Sequence, residues 1–507
     1  MTILLCLLLA AAVPIADARW LRVGQREHYL AGSVSQFARR WWTVDWRNVS
    51  LGIAALLGLV VSIWFPLAAV VSIEAAALGP IGLSMRGRTS RLAWTRRLKS
   101  LASVHTLIIV TLGVLGIVLG VAAPVLAATA ISLPLTLDVA LALVSPIERR
   151  AARGFVDAAV AKLDRVGPTR VAITGSYGKT SIKGYVRHIA DTTLAVVASP
   201  ASFNNTGGLS RTVNEHLAPD TEVFVAEMGT YGPGEIRDLC SWVKPDIAAL
   251  CNIGPVHLER FGSLDNVVES KSEIFEGAST AVLNIDAYRL GEVADRLRGG
   301  SLKVITTSAD PDSDADVRVF AATHSQGRRV CIGDDCDTVS TAPDSIDDNV
   351  AVAVAIAHAL GIANDTIRSR LATLPGAGHR RERSISPTGV TIIDDTYNSN
   401  PAGAAAALDV LESIPSDRRV VVTPGMVEMG PQQAAANEEF ARHAATVADD
   451  ILVVGETNRA ALHAGASAGT ATLTQTRTRT EAVEWVRRNL GPGDAVLYEN
   501  DLPDHYP

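Results

Sequence analysis

Apolar positions follow two regimes along this chain. Up to Ser145 they come in long runs, Thr2–Ala18, Leu51–Met85 and Leu107–Ser145, of a length that suggests membrane helices. The second and third runs are long enough for helical hairpins, with Pro66 and Pro124 near their middles. Further on, the runs shrink to strand length and alternate with segments whose apolar residues recur at helical spacing. That alternation marks βα units around a parallel sheet. The expected architecture is an α-helical membrane region followed by α/β. Its parts are a membrane region over 1–148, a central domain over 149–375 and a C-terminal Rossmann-like domain over 376–507, with a break near Pro375-Gly376.

Charge orients the first part. Basic residues separate the apolar runs in two segments, Arg19–Arg47 and Arg86–Lys99, and a third cluster, Arg149, Arg150 and Arg153, follows them. Lys and Arg mark cytoplasmic loops. With all three clusters inside, the first helix runs outside to inside and two hairpins follow. The expectation is a multi-pass plasma-membrane protein with five spans and cytoplasmic catalytic domains. The first run ends in a cleavage-like "ADA" but lacks the basic start of a signal peptide, so it reads as an uncleaved anchor. Asp138 interrupts an apolar run. It is either a functional intramembrane acid or a group at a helix end near the interface.

Overall composition excludes little else. A net charge of -7 argues against a nucleic-acid partner, which would call for a basic footprint. The five cysteines, Cys6, Cys240, Cys251, Cys331 and Cys336, form no disulfide framework and no CxxC pair and suit a reducing compartment. Cys331 and Cys336 are expected to be two loop or strand thiols.

The chemistry begins at "RVAITGSYGKTSIKGYVRHIA", which reads as strand Arg170–Thr174, a glycine turn, and a helix from near Lys179. Gly175, Ser176 and Gly178 let the backbone approach phosphate, and the helix start, with Lys179, Thr180 and Ser181, points its N–H groups at it. Lys179 would neutralise nucleotide phosphates and Thr180 would offer its hydroxyl to Mg²⁺. The full Walker spacing needs glycine where Ile173 stands, so this is a shortened loop. Downstream come a polar loop, Ser202–Thr212, a buried strand ending in Glu227, a strand ending near His257, and a helix bearing Lys271. Acids at the carboxyl edge of a parallel sheet are suited to metal or catalysis. In the C-terminal part, "TIIDD" could pass for a Walker B strand, but it lies in the second domain. "DDTYNSNP" suits a loop closing on a ligand, and "TLTQTRTRT" reads as a surface connection.

The motifs "TGSYGKTS", "NNTGG", "AEMG" with "GEI", "NIGPVHLERFGS", "KSEI", "GHRRE", "IIDDTYNSNPAGAAAAL" and "VVTPGMVEMG" occur in this order over roughly residues 168–500. In that order they resemble the Mur ligases, the ATP-dependent amide-forming enzymes of peptidoglycan synthesis. The pattern is nearest the branch that adds D-alanyl-D-alanine to UDP-MurNAc-tripeptide. The resemblance implies an acid–amino-acid ligase with a central P-loop ATPase domain and a Rossmann-like C-terminal domain. It would use ATP and Mg²⁺ and pass through an acyl phosphate. Lys179 and Thr180 would hold phosphates and Mg²⁺, while Asn204 and Asn205 would lie near the reacting centre. Glu227 and His257 would bind magnesium, and Lys271 would do so as a carbamate. Arg380 would face the γ-phosphate and Asp395 the ribose, with Asn398 and Asn400 in the same nucleotide-facing loop.

The substrates implied are a muropeptide carboxylate and an amino-acid or dipeptide amine. Soluble members begin with a domain for the UDP end of the substrate, and membrane segments stand there in this chain. A lipid-linked carboxylate is therefore expected beside the UDP-linked one. "ENDLPDHYP" stands where the family has a basic Gly-Ser segment, so part of the amine pocket is expected to differ. The alternatives are a ligase of another polymer, of the poly-γ-glutamate type, and a non-catalytic ATP-binding membrane scaffold.

Overall fold

The computed structural model describes residues 1–85, 87, 91–256, 258–322, 327–341, 345–374, 382–396, 399–502 and 505–506. Seven helices fill the first third of these residues: α1 (Thr2–Arg26), α2 (Ser33–Thr43), α3 (Trp46–Val61), α4 (Ala69–Leu78), α5 (Arg96–Val118), α6 (Ala122–Ile131) and α7 (Leu133–Val166). The two hairpins lie where the apolar runs put them. Pro66 opens the short turn between α3 and α4, and Pro124 sits in the first turn of α6, just after the chain reverses from α5.

The expected five spans reduce to two helices long and apolar enough to cross a membrane, α1 and α5, among the described residues. Two bent pairs, α2 with α3 at 110° and α6 with α7 at 74°, raise the number to four if each counts as one span. The shortfall is one of length. At 1.5 Å per residue a span needs about 20 residues, whereas α3 has 16 and α4 has 10. Large apolar side chains nevertheless point outward along this region, among them Trp64, Phe65, Leu107, Val114 and Val118, the last 75% exposed.

Within the helical region the packing forms two layers. Leu5, Leu9, Ala69, Ile73, Leu126 and Ala127 make one, at the end carrying the hairpin turns. Trp20, Val34, Phe37, Trp41, Leu101 and Leu137 make the other, which also takes in Tyr506 of the C-terminal tail. Buried polar groups knit the helices together. His105 meets Asp17 at 3.1 Å and Thr136 at 2.8 Å. Asp138 accepts the backbone N–H of Val34 at 3.2 Å and of Ser35 at 2.8 Å, so it caps α2, satisfying donors that a helix start leaves open. Arg19 donates to the carbonyls of Ala77 and Gly79, and Arg22 to that of Ser84. Part of the first basic segment is thus spent inside the protein.

The boundary expected at 148/149 falls inside α7. This Ala- and Arg-rich stretch continues as one helix, and its last turns bury Ala159 and Leu163 with Leu209, Val213 and Phe224 of the central domain. The expected break at Pro375-Gly376 lies outside the described residues.

Two mixed sheets follow. The first is built from β1 (Thr169–Thr174), β2 (Val196–Ala198), β3 (Val223–Glu227), β4 (Ile247–Leu250), β5 (Thr280–Asn284), β6 (Lys303–Ser308), β7 (Val317–Ala321), β8 (Arg328–Ile332) and β9 (Asp335–Val339), in the order β2-β3-β1-β4-β5-β6-β7-β8-β9. It is parallel as far as β7 and then antiparallel. The second contains β10 (Glu382–Ile385), β11 (Thr391–Asp395), β12 (Arg419–Thr423), β13 (Asp450–Val454), β14 (Thr472–Thr476) and β15 (Ala495–Glu499), in the order β10-β11-β15-β12-β13-β14, with only β10 antiparallel. Fully buried strands such as Val223–Glu227 and Ile247–Leu250 form because helices cover both faces of a parallel sheet.

Several expectations change here. "TLTQT" is no surface connection but the edge strand β14, paired with β13 from Asp450↔Thr472 onward. Its threonines suit a half-exposed strand. Cys331 and Cys336 are strand residues facing each other across β8 and β9, and they are bonded as a disulfide. The segment Ser202–Thr212 is loop only as far as Asn205; Thr206–His216 is helix α9. The strand expected to end near His257 ends at Leu250.

The helical region is joined to both α/β parts. Glu27, 5% exposed, receives Arg260 at 2.7 Å on one carboxylate oxygen and meets His505 at 2.9 Å on the other. The Trp41 indole donates to the His505 carbonyl at 2.7 Å, and Arg40 pairs with Glu259. Gly430 lies against Leu258 and Glu259, which brings the C-terminal domain onto the central one.

Candidate active site

The site forms at the carboxyl edge of the first sheet. Strand β1 ends at Thr174, Gly175–Gly178 turn the chain, and α8 (Lys179–Ala190) begins. Gly178 has φ 79° and lies against Asn349, where a Cβ would come within 2.2 Å of the amide oxygen. Only glycine satisfies both the backbone and the space. A Cβ at Gly175 would come within 2.3 Å of the Cys251 sulfur and 3.1 Å of the Asn252 backbone nitrogen, and the Tyr177 ring fills the space beside Gly254. The turn is further held by the Ser176 hydroxyl, which donates to the Gly254 carbonyl and accepts the Gly254 N–H at 2.9 Å. Helix α8 starts without a side-chain cap. Its first N–H groups and the loop therefore fit a phosphate ligand.

Two lysines converge on one oxygen. Lys179 donates to the Gly175 carbonyl at 2.6 Å, and Lys271, from the helix Leu264–Ser272, donates to the same carbonyl at 3.1 Å. Burial, and then the neighbouring Lys179 charge, bring Lys271 down to about 7. A buried ammonium beside a second cation is disfavoured on both counts.

The acid of the site is Glu227, 2% exposed at the end of β3. One carboxylate oxygen accepts the Thr180 hydroxyl at 3.0 Å and the Lys183 ammonium at 2.9 Å; the other accepts the Asn204 amide at 3.3 Å. A hydroxyl and a carboxylate side by side at a phosphate loop form a hard-oxygen donor set of the kind Mg²⁺ takes.

The sequence-derived residues thus divide. Gly175, Ser176, Gly178, Lys179, Thr180, Glu227 and Lys271 are brought together, and Ser181 follows on the buried side of α8. Asn205, expected to be catalytic, caps α9, its side-chain oxygen accepting the Gly208 N–H at 2.9 Å; Asn204 is the amide that meets Glu227. Asn400, expected at the nucleotide, caps the helix Pro401–Ser413 through the Gly403 N–H at 3.0 Å. Asp395 lies at the end of β11 beside Glu499 of β15. His257, Arg380 and Asn398 lie outside the described residues.

Sequence reasoning missed Lys183, Asn349 and Glu499. Lys183 had a signal, because positions three and four along a helix share a face and it stands so spaced from Thr180 and Lys179. Asn349 had none, since only the tertiary fold brings its helix to the loop. Glu499 occupies the segment that departs from the family pattern. It is fully buried, with Ser399 and Thr423 donating to it, and burial raises its carboxyl to about 7.

Comparison with known proteins agrees with this geometry. Residues 173–356 match the Mur ligase middle domain, and residues 379–498 match the Mur ligase glutamate ligase domain. The UDP-N-acetylmuramoyl-tripeptide–D-alanyl-D-alanine ligase of Mycobacterium tuberculosis (strain ATCC 25618 / H37Rv) is 28% identical over 362 residues, covering 67% of this chain and 69% of that protein. The enzyme of the same name from Bacillus subtilis (strain 168) is 28% identical over 285 residues, 55% of this chain and 61% of its own. Among solved structures, MurF from Acinetobacter baumannii shares the fold with a TM-score of 0.60 at 24% identity, covering 68% of this chain and 77% of its own. The MurF ligase from Thermotoga maritima in complex with ADP gives 0.60 at 23% identity, covering 69% and 80%. Both family matches lie beyond the seven-helix region. With this loop, this acid and these two domains in sequence, the chain belongs to the Mur ligase family, as an ATP-dependent amide-forming ligase of peptidoglycan synthesis that is MurF-like.

Proposed function

We propose that the protein is a membrane-anchored ligase that joins a muropeptide carboxylate to an amino-acid or dipeptide amine through an acyl phosphate. The observation that carries this reading is the convergence of Lys179 and Lys271 on the Gly175 carbonyl beside the Thr180–Glu227 pair. Mur ligases use ATP and Mg²⁺. ATP supplies the phosphoryl group that turns the carboxylate oxygen into a leaving group; the amine then attacks the acyl carbon, loses a proton, and phosphate departs. Lys179, the loop amides and the start of α8 would hold the phosphates, and preorganised positive charge there offsets charge developing in transfer. Thr180 and Glu227 would hold Mg²⁺, and His257 is the further ligand that membership of the family suggests. Arg380 and Asp395 would close on the nucleotide from the C-terminal domain, with Asn398 and Asn400 shaping the loop.

Lys271 would act as a carbamate. Its amine, held at about 7, is substantially neutral at physiological pH. A neutral amine adds CO₂ and releases one proton, which would leave a carbamate anion suited to a second Mg²⁺.

The outward apolar side chains of α1, α3 and α5 support insertion in the plasma membrane, with the catalytic domains on the cytoplasmic side. Tethering favours a lipid-linked carboxylate over a UDP-linked one. The deciding experiment offers the detergent-purified protein ATP, Mg²⁺ and D-alanyl-D-alanine with either UDP-MurNAc-tripeptide or its lipid-linked form, and follows phosphate release and product mass. Ligation of the lipid-linked form above the UDP-linked one is expected. Phosphate release with no ligated product from either would refute the substrate assignment. Protease added to sealed inside-out vesicles should cut the α/β domains; protection there would reverse the topology.

A further inference from the structure

Glu227 is held by more than the site's expected chemistry requires. Lys183 lies one turn beyond Lys179 on α8, and its ammonium reaches the carboxylate oxygen that Thr180 also uses. Both side chains are buried, at 6% and 2% exposure. A buried charge left alone is costly, so the pair is expected to stay closed. Lys183 also donates to the Ala201 carbonyl at 2.5 Å and approaches the Ser199 hydroxyl at 3.5 Å. Ala201 has φ 42°, a left-handed backbone that a residue with a Cβ adopts only when its surroundings impose it. That loop delivers Asn204 to the second oxygen of Glu227. One ammonium therefore joins the phosphate-loop helix, the acid and the amide-bearing loop.

Charge gives the arrangement a consequence for metal binding. Lys183 is bonded to Glu227, and Lys179 stands at the loop on the Gly175 carbonyl. A carboxylate whose charge is balanced by a bonded ammonium attracts a divalent cation weakly, whereas Lys179 and the loop amides attract a polyphosphate. We propose that Lys183 is a positioning residue that holds Glu227 by one oxygen and, by balancing its charge, makes divalent-cation binding depend on the nucleotide's own phosphates. This rests on the reading of Thr180 and Glu227 as the cation side of the site.

The test is Mn²⁺ binding to the detergent-purified full chain, read from the electron paramagnetic resonance of free Mn²⁺ without nucleotide. Wild type and Lys183→Arg should bind only weakly, in the millimolar range. Lys183→Met should bind at least tenfold tighter than wild type, and Lys183→Met with Glu227→Gln should return to the wild-type value. A purely structural role for Lys183 predicts no tightening, and a Lys183→Met protein that binds no better than wild type overturns the proposal. Should that variant not fold, the wild type decides alone: micromolar Mn²⁺ binding without nucleotide also overturns it. A separate titration with a non-hydrolysable ATP analogue keeps the two readings apart. If wild type binds the analogue equally well with and without Mg²⁺, the cation site itself is misassigned and the inference falls with it. If analogue binding depends on Mg²⁺, a failure of the Mn²⁺ comparison concerns Lys183 only.

Discussion

At Lys271 a buried ammonium shares the Gly175 carbonyl with Lys179, and the fold draws its proton off near neutrality. Lys271→Ala is expected to lower ligation on the order of 10²–10³-fold, the scale of losing one preorganised electrostatic group. Short carboxylic acids, standing in for the carbamate, should restore part of it. Full activity in that variant, measured as ligated product, would remove the carbamate from the mechanism. Activity that depends on CO₂ should fade as pH drops below about 7, where the amine holds its proton. Glu499 shows the opposite sign. Its folded value is raised to about 7 from an ordinary 4.5, first by burial. The folded state therefore binds more protons than the unfolded one between those values. The stability so contributed is present below the unfolded value and is lost as pH rises through the folded one. Glu499→Gln should thus gain up to about 3 kcal/mol on wild type between pH 5 and pH 8, read as the difference in unfolding midpoints at the two pH values. Equal midpoint differences at both would show that Glu499 is not held protonated. These residues were unequally legible. Lys179 and Thr180 were plain in "GKT", whereas nothing local in "LYEND" announces a buried acid.

Among the elements, polar loops were the hardest to read. "NNTGG" and "NSNP" looked like reactive loops, and in each an asparagine also starts a helix: Asn205 caps α9 and Asn400 caps Pro401–Ser413. Asn is favoured both at helix caps and in ligand-facing turns, so residue type alone does not separate the two. Asn205→Ala should cost about 1 kcal/mol through loss of the cap, seen as a lower unfolding midpoint with the nucleotide affinity kept. A large loss of affinity without a stability change would return Asn205 to the catalytic set. Buried strands were read with fewer errors, because apolar runs ending in Thr174 and Glu227 have few other places to go. Strand β14 was missed because edge strands carry polar residues and resemble connections.

In the whole molecule, Glu27 links three parts of the chain, with Arg260 of the central domain on one oxygen and His505 of the tail on the other. Glu27→Gln removes the charge that pairs Arg260 and weakens both contacts. A destabilisation of about 1–3 kcal/mol is expected, with faster amide hydrogen exchange over Leu258–Phe261 and at Tyr506. Unchanged exchange there would mean the helical region only rests on the ligase domains. No stretch of sequence shows this junction, since its members are separated by more than two hundred residues.

Local pattern was enough for the two-part plan of the chain, the phosphate loop and the strand-end acid. Helical spacing, apolar runs and glycine turns act over a few residues and need no partner to be recognised. Long-range packing settled the rest: which asparagine meets Glu227, that Asp138 caps a helix, that α7 carries the helical region into the central domain without a break, and that Lys183 and Asn349 reach the site. Each of these depends on groups distant in sequence that compete for the same hydrogen bonds and the same buried space, and only the folded chain brings them into contact.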